Sequence, residues 1–249
     1  MSTWFISDLH LFPNRPHSMA LLLQFLDYLA RHRPQGLYIL GDLFEYWVGD
    51  DVLAHPLGVG FMPVVEAFSR LSAQGVPIAF QHGNRDFLVG KAFAAQTGFI
   101  LLPDQHLIDL YGIPTLLMHG DSLCTDDHAY QQLRTQLRNP QWQEQFLSLP
   151  LEQRIAQAQA LRAESQAQMH TKAETILDVT PAAVKDVMQQ YQLTQLIHGH
   201  THRPAIHKFF IHEQYCKRIV LGDWYGTKGS FLKVDAQSVR LLADYYKGD

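Results

Sequence analysis

Five apolar runs in this chain end abruptly in a polar cluster, and that repetition constrains the fold more than any other feature. Residues 4–6 run into Ser7, Asp8, Leu9 and His10; residues 37–40 into Gly41 and Asp42; residues 76–80 into His82, Gly83, Asn84, Arg85 and Asp86. Residues 115–118 run into His119, Gly120 and Asp121, and residues 194–197 into His198, Gly199, His200, Thr201 and His202. Short β-rich runs alternating with helical stretches predict an α/β chain, in which loops at the carboxyl ends of strands open onto one shared edge. Ser18 is expected to cap a helix reaching about Arg31, with Leu22, Phe25, Leu26 and Leu29 as its apolar stripe. Further helices are expected near 63–73 and 90–96, and 99–110 reads as β-rich. Strands near 205–211, 217–221, 230–234 and 239–245 complete the chain.

Between residues 121 and 181 the composition changes. β-Branched residues thin out, and Ala, Gln, Leu, Arg and Glu dominate, most plainly over 152–168. These residues favour helix, and Pro140 and Pro150 divide the stretch into several short ones. Residues 122–180 therefore read as a helical cap inserted over the strand edge, between core segments 1–121 and 181–249.

With 249 residues, 47% apolar and 18% charged, the chain can bury a sizeable core. Its net charge of −4 argues against a protein held to nucleic acid by phosphate attraction, and no obligate protein partner is implied. Cys124 and Cys216 are the only cysteines and form no CxxC pair, so neither a disulfide framework nor a thiolate zinc site is expected. A reduced cytoplasm suits such a chain. Its opening residues lack the pattern of a secretory signal, and the apolar stretch 20–25 is far short of the ~20 residues that span a bilayer.

Hydrolytic divalent-metal sites draw on carboxylate, imidazole and amide oxygen, which are what these five clusters supply. In an extended segment residues two apart face the same way, so Asp8 with His10, and His200 with His202, can aim both side chains inward. Asp8, His10 and His202 suit one ion; Asn84, His119 and His200 suit a second. Asp42 would bridge them at ~3.5–4 Å, the separation at which two ions activate water and neutralise phosphoryl charge together. Singly, Asp-x-His or Gly-Asp at a strand end is commonly a solvated turn. The joint order, each motif after a β-run, is what carries the metal assignment. His17, His32, His55, His106, His207 and His212 fall outside the pattern and read as surface or loop residues. His82 and His198 read as packing residues, with a role in fixing a ligand's tautomer as the alternative.

The segments Ser7-Asp8-Leu9-His10-Leu11, Leu40-Gly41-Asp42-Leu43-Phe44-Glu45 and His82-Gly83-Asn84-Arg85-Asp86-Phe87-Leu88 resemble motifs of the calcineurin-like metallophosphoesterases. So do His119-Gly120-Asp121-Ser122-Leu123-Cys124-Thr125-Asp126-Asp127 and Ile197-His198-Gly199-His200-Thr201-His202-Arg203-Pro204. Within that superfamily the set is similar to the UDP-2,3-diacylglucosamine hydrolase family. The resemblance implies a four-layer αββα sandwich with a helical cap, and a pyrophosphate cleavage serving lipid A biosynthesis. Water would attack the α-phosphorus of UDP-2,3-diacylglucosamine, giving UMP and 2,3-diacylglucosamine 1-phosphate. It also implies two Mn²⁺ per chain, and substrate contacts from Asn84, Arg85, Asp127, Ser165, Met169, Lys172 and His200. Met169 stands where related sequences carry Asn, leaving that contact to His170, Thr171 or the backbone.

Arg85 stands where many members of the superfamily carry a His that helps the leaving group. A departing sugar 1-phosphate needs charge neutralisation more than a proton, and a guanidinium supplies it. The competing reading is a salt bridge to Asp86. Two acyl chains would keep such a substrate in the inner membrane, so the resemblance places the protein peripherally on its cytoplasmic face. The cap's Arg134, Arg138, Arg154, Arg162 and Lys172 are outnumbered by acids, which excludes a simple polybasic anchor. Attachment then falls to apolar cap residues, Trp142 and Phe146 foremost. Leu133, Leu137, Trp142, Phe146, Leu147, Leu151 and Ile155 all have core packing as their default role, with lining an acyl groove as the second. Two other readings compete: the same chemistry on another nucleotide diphosphate or phosphodiester, and a non-catalytic scaffold. The cap's apolar content counts against the first, the complete ligand set against the second.

Overall fold

The computed structural model describes residues 1–169 and 178–243, the side chains of 166–169 and 243 excepted. Strands β1 (Thr3–Ile6), β2 (Gly36–Leu40), β3 (Ile78–Gln81) and β4 (Phe99–Leu102) run parallel in one sheet. A second sheet holds β5 (Gln105–Leu110), β6 (Ile113–Met118), β7 (Gln195–His198), β8 (Ala205–Ile211) and β9 (Gln214–Val220), in the order β5-β6-β7-β9-β8. The antiparallel pair β10 (Ser230–Val234) and β11 (Val239–Ala243) joins the first sheet beside β1, giving β11-β10-β1-β2-β3-β4. Register aligns the exits: Ile6 sits opposite Ile39, Leu40 opposite Gln81, and Leu117 opposite Ile197. Asp8, Asp42, Asn84, His119 and His200 therefore all lie just past the carboxyl ends of parallel strands.

The period-2 alternation of strand side chains sorts the core into layers. Phe5, Leu40, Leu117, Ile197 and Leu232 form one buried cluster between the sheets. Their neighbours Trp4, Ile6, Leu37 and Ile39 point the other way, into a cluster with α1 (Pro16–His32), α3 (Met62–Ala73) and α4 (Lys91–Thr97). Leu116, Met118 and Leu196 pack on the far side, against Val184, Val187 and Met188 of α8 (Pro181–Gln190). The result is helices, sheet, sheet, helix: the four-layer sandwich expected.

Several boundaries differ from the sequence reading. Ser18 is not a cap but a buried residue inside α1, which starts at Pro16 without a side-chain cap. Proline at the first helical position needs no N–H partner and arrives with helical φ. The stretch 99–110 is two strands in different sheets, separated at Pro103 and Asp104. β9 begins earlier than expected, at Gln214, and the short helix α2 (Pro56–Val59) and all of α8 were not anticipated. Tyr245, the expected end of the last strand, lies outside the described residues.

Residues 128–169 form three helices, α5 (His128–Leu137), α6 (Pro140–Leu147) and α7 (Leu151–Met169), broken where the prolines fall. Their apolar residues join an existing core. Phe146 and Ile155 are buried in the cluster that holds Trp47, Phe61 and Leu88, and Trp142 and Leu151 pack against it. Trp142 stacks on Phe146 at 5.0 Å between ring centroids. Phe146 is therefore a packing residue and not a surface anchor, because its ring closes the gap between α6 and the core. Among the described side chains of these helices the exposed large apolar residues are Leu133, Leu147 and Leu161, each 37–42% exposed. Among the described residues no helix is long and apolar enough to cross a membrane.

Candidate metal centre

The loops that follow the strands are held in conformations most residues avoid. Asp8, His10, Asp42, His200 and His202 all have φ between 48° and 69°, a left-handed region that costs a non-glycine residue about 1–2 kcal/mol. Such strain persists only where surrounding structure over-determines it, and it clusters at functional sites. The determinants are visible. The Asp86 carboxylate accepts from the backbone N–H of Gly83 at 2.8 Å, Asp42 at 3.2 Å and Leu43 at 2.7 Å, tying two ligand loops together. Asp86 is thus fully committed to backbone amides, and the salt bridge to Arg85 does not form: its acceptors are spent inside the core. Gly41 and Gly83 let these loops touch. A Cβ on Gly41 would lie 2.5 Å from Gly83 Cα, and one on Gly83 would lie 2.1 Å from Asp42 Oδ1.

All seven expected ligands converge. His202 Nε2 lies 3.4 Å from Asp8 Oδ1 and 3.2 Å from His10 Nε2. Asp42 Oδ2 is 4.0 Å from His10 Nε2, and Asp42 Oδ1 is 3.7 Å from His119 Nε2. Asn84 Oδ1 sits 3.0 Å from His119 Nε2 and 3.1 Å from His200 Nδ1. Two triads bring their donor atoms within 4.8 Å of one another: Asp8, His10 and His202, and Asp8, Asp42 and His119. The first matches the expected set for one ion. The second places Asp8 beside Asp42 and His119 as well, so the two carboxylates together occupy the middle of the cluster.

The electrostatics of this cluster are unsatisfied without cations. Burial pushes Asp42 up to about 7; His119 opposes this and the neighbouring Asp86 and Asp8 add to it. Burial would raise Asp8 too, but hydrogen bonding and charge from His202 hold it well below the usual carboxylate range. Burial, reinforced by His119, brings His200 down to about 3, keeping its imidazole a neutral donor of electrons. His202 is raised to about 10, because its contacts with Asp223 and Asp8 outweigh burial. His10 Nδ1 is buried and hydrogen-bonds to nothing among the described residues, and Asp8 Oδ1 has only the long His202 contact at 3.4 Å, although buried polar atoms are nearly always paired. Two imidazole nitrogens facing each other at 3.2 Å, beside two buried carboxylates, form a donor set suited to divalent cations.

A sequence profile for calcineurin-like phosphoesterases matches residues 1–204. The chain belongs to that family. It is 51% identical over 250 residues to a UDP-2,3-diacylglucosamine hydrolase from Xanthomonas campestris pv. campestris, covering 97% of this chain and 98% of the relative. A protein of the same name from Stenotrophomonas maltophilia is 50% identical over 246 residues, covering 95% and 96%. A solved dimetal phosphatase from Danio rerio shares the fold, with a TM-score of 0.52 at 15% identity over 98% of this chain and 95% of that one.

For a calcineurin-like phosphoesterase, the surroundings of the ligands matter as much as the ligands. His119 Nδ1 donates to Leu40 O at 2.8 Å, which leaves Nε2 facing the centre. His202 Nδ1 faces Asp223 at 3.5 Å and does the same. Ser7 Oγ donates to Asp8 Oδ2 at 2.5 Å. His82 and His198 play no such part: they bond the carbonyls of Val89 and Gly199, as packing residues would. Arg85 Nε is buried with no partner among the described residues, while its backbone N–H donates to Asp42 Oδ1 at 2.8 Å.

In the helices over the centre, Asp127 caps α5 by accepting from Tyr130 N at 3.2 Å. Ser165 is half-buried on α7; the side chain of Met169 and all of Lys172 lie outside the described residues. Sequence reasoning overlooked Tyr130, Arg162, Glu45 and Asp223. Tyr130 stacks over the His200 ring at 6.0 Å and donates to Asp121 at 2.7 Å. Glu45, 4.0 Å from His10 Nδ1, receives Arg15 at 2.9 Å and also pairs with Arg162 of α7. Only Glu45 carried a sequence signal, inside the segment that follows Asp42; the others sit on helices or loops whose proximity depends on the fold.

Proposed function

We propose that the chain cleaves the pyrophosphate bond of UDP-2,3-diacylglucosamine, releasing UMP and 2,3-diacylglucosamine 1-phosphate. The observation that carries this reading is identity of about half over nearly the whole length to proteins named for that hydrolysis, in a chain whose seven candidate ligands converge. Asp8, His10 and His202 would hold one ion and Asn84, His119 and His200 the other, with Asp42 between them; Mn²⁺ fits this mixed oxygen and nitrogen set. Bound divalent cations acidify water and neutralise charge on phosphoryl oxygens.

The chain's own groups then orient the substrate and stabilise charge. Arg85 is half-buried, and its Nε is buried without a partner among the described residues, a costly arrangement unless an anion completes it. The departing sugar phosphate is such an anion, and its developing charge is stabilised by a donor already desolvated and in place. Tyr130 and His200 form a stacked wall beside the attacked group. Asp127, Ser165, Met169 and Lys172 are proposed contacts to the nucleotide sugar, on a cap spanning 122–180 between core segments 1–121 and 181–249.

The acyl chains keep this substrate in a membrane, so the protein works as a peripheral visitor to the cytoplasmic face of the inner membrane. Leu133, Leu147 and Leu161, exposed on α5, α6 and α7, are the residues that would enter the lipid. Incubating pure protein and Mn²⁺ with UDP-2,3-diacylglucosamine, then weighing the products by mass spectrometry, tests the reading. UMP and 2,3-diacylglucosamine 1-phosphate are expected; turnover of UDP-glucosamine at the same rate would count against an acylated substrate.

A further inference from the structure

Glu45 is a buried carboxylate that the proposed chemistry leaves unused. Its backbone is fixed beside the first ligand loop. His10 N donates to Asp42 O at 3.0 Å, Leu11 N to Leu43 O at 2.9 Å, and Glu45 N to Leu11 O at 3.0 Å. The two oxygens of its side chain have different partners. Oε2 receives Arg15 Nη1 at 2.9 Å and faces His10 Nδ1 at 4.0 Å. Oε1 receives Nε of Arg162, which belongs to cap helix α7.

His10 turns its other nitrogen, Nε2, to the centre, 3.2 Å from His202 Nε2 and 4.0 Å from Asp42 Oδ2. Its Nδ1 is buried and bonds nothing among the described residues. An imidazole that binds a metal through one nitrogen is oriented by an acceptor at the other. At 4.0 Å Glu45 stands beyond a direct hydrogen bond. A charge so near still favours the tautomer with its proton on Nδ1, which leaves the Nε2 lone pair for an ion. The position of that charge is set from the cap. Helix α7 lies along the segment that follows Asp42: Arg154 reaches Asp51 Oδ1 at 2.9 Å, Gln159 reaches the Tyr46 hydroxyl at 3.2 Å, and Arg162 reaches Glu45. The Arg162 side chain is 19% exposed and that of Glu45 8%, so water screens their pairing little.

We infer that Glu45 is a positioning residue through which the cap sets the affinity of the centre for its ion. Seating of α7 places Arg162, Arg162 fixes the carboxylate, and the carboxylate orients His10. The inference rests on the reading that His10 is a metal ligand. It goes further by making metal affinity depend on Arg162, a cap residue that hydrogen-bonds to no candidate ligand among the described residues.

Calorimetric titration of the metal-free full chain with Mn²⁺, in the absence of substrate, tests it. Glu45→Gln should weaken binding about tenfold to a hundredfold. Arg162→Met should weaken it by about threefold to tenfold, and the double variant no more than Glu45→Gln alone, because Arg162 acts through Glu45. Wild-type affinity in Glu45→Gln would overturn the inference, as would two single losses that add in the double variant. A merely structural Glu45 would lower the melting temperature and leave the affinity unchanged. Should Glu45→Gln not fold, Arg162→Met carries the test alone, and its wild-type affinity would overturn the inference. Failure of the metal reading looks different: His10→Ala would then bind Mn²⁺ as tightly as the wild type.

Discussion

The strand-end loops and the helices above them meet at one site but are built on opposite principles. The loops hold short side chains on strained, buried backbone, pinned by Asp86, Ser7 and the Leu40 carbonyl. The helices, besides packing Phe146 and Ile155 into the core, reach the loops beneath them through long side chains. Arg134 reaches Asp121 and Asp104 at 2.8 Å, Arg138 reaches Gly83 O at 3.0 Å, and Arg154 reaches Asp51 at 2.9 Å. Short side chains on pinned backbone below and long side chains from above suit the proposed division of labour, in which the loops would perform the chemistry and the helices would decide what is admitted.

Removing the shared carboxylate should separate the two regions most sharply. Asp42→Ala is expected to lower kcat by about a thousandfold or more, with at least one ion lost per chain by metal analysis. The fold should keep its stability or gain some, because relieving a strained, charge-crowded position commonly does. Near-wild-type turnover at full metal occupancy would mean that Asp42 is not between the ions.

A smaller loss is expected at Arg85. Arg85→Lys keeps the charge but not the planar fork that grips two phosphoryl oxygens, and kcat should fall by about tenfold to a hundredfold with KM little changed. If Arg85→Ala turns over normally, the leaving phosphate is stabilised elsewhere.

Arg138 probes the seam between the regions. It donates to the carbonyl immediately before Asn84 and lies 5.7 Å above the Phe87 ring, so it positions the loop without touching a ligand side chain. Arg138→Ala should weaken metal binding or rate by about tenfold, the usual cost of losing an outer support. An effect on acyl-chain preference alone, at unchanged metal affinity, would place Arg138 wholly with the cap.

The mildest effects belong to the outer face of the helices. Leu133→Asp and Leu147→Asp should reduce liposome binding and leave the melting temperature within a few degrees. Phe146→Ser should instead lower stability by about 3 kcal/mol, since it empties a packed core position. Binding that depends only on salt concentration would assign attachment to charge, not to these leucines.

This contrast also explains what could be read in advance. The proposed ligands at strand ends announce themselves, since Asp8, Asp42, Asn84, His119 and the His200–His202 pair each follow an apolar run, and the sandwich follows from the same alternation. Helix α8 left a readable trace, Pro181 followed by Val184, Val187 and Met188, and was overlooked beside the stronger motifs. Tyr130 and Arg162 left none. Their roles come from contacts with His200 and Glu45, 70 and 117 residues away, and local pattern carries no record of such pairs. Phe146 shows the same limit from the other side: hydrophobicity on a helix does not say whether lipid or protein will cover it.

The central claim, that the strand-end loops direct water to the α-phosphorus, is tested most directly by hydrolysis in ¹⁸O-labelled water followed by mass analysis of both products. Attack at the α-phosphorus places the label in UMP and leaves 2,3-diacylglucosamine 1-phosphate unlabelled. Label in the sugar phosphate would contradict the assignment, since Arg85 would then face the attacked group and not the departing one.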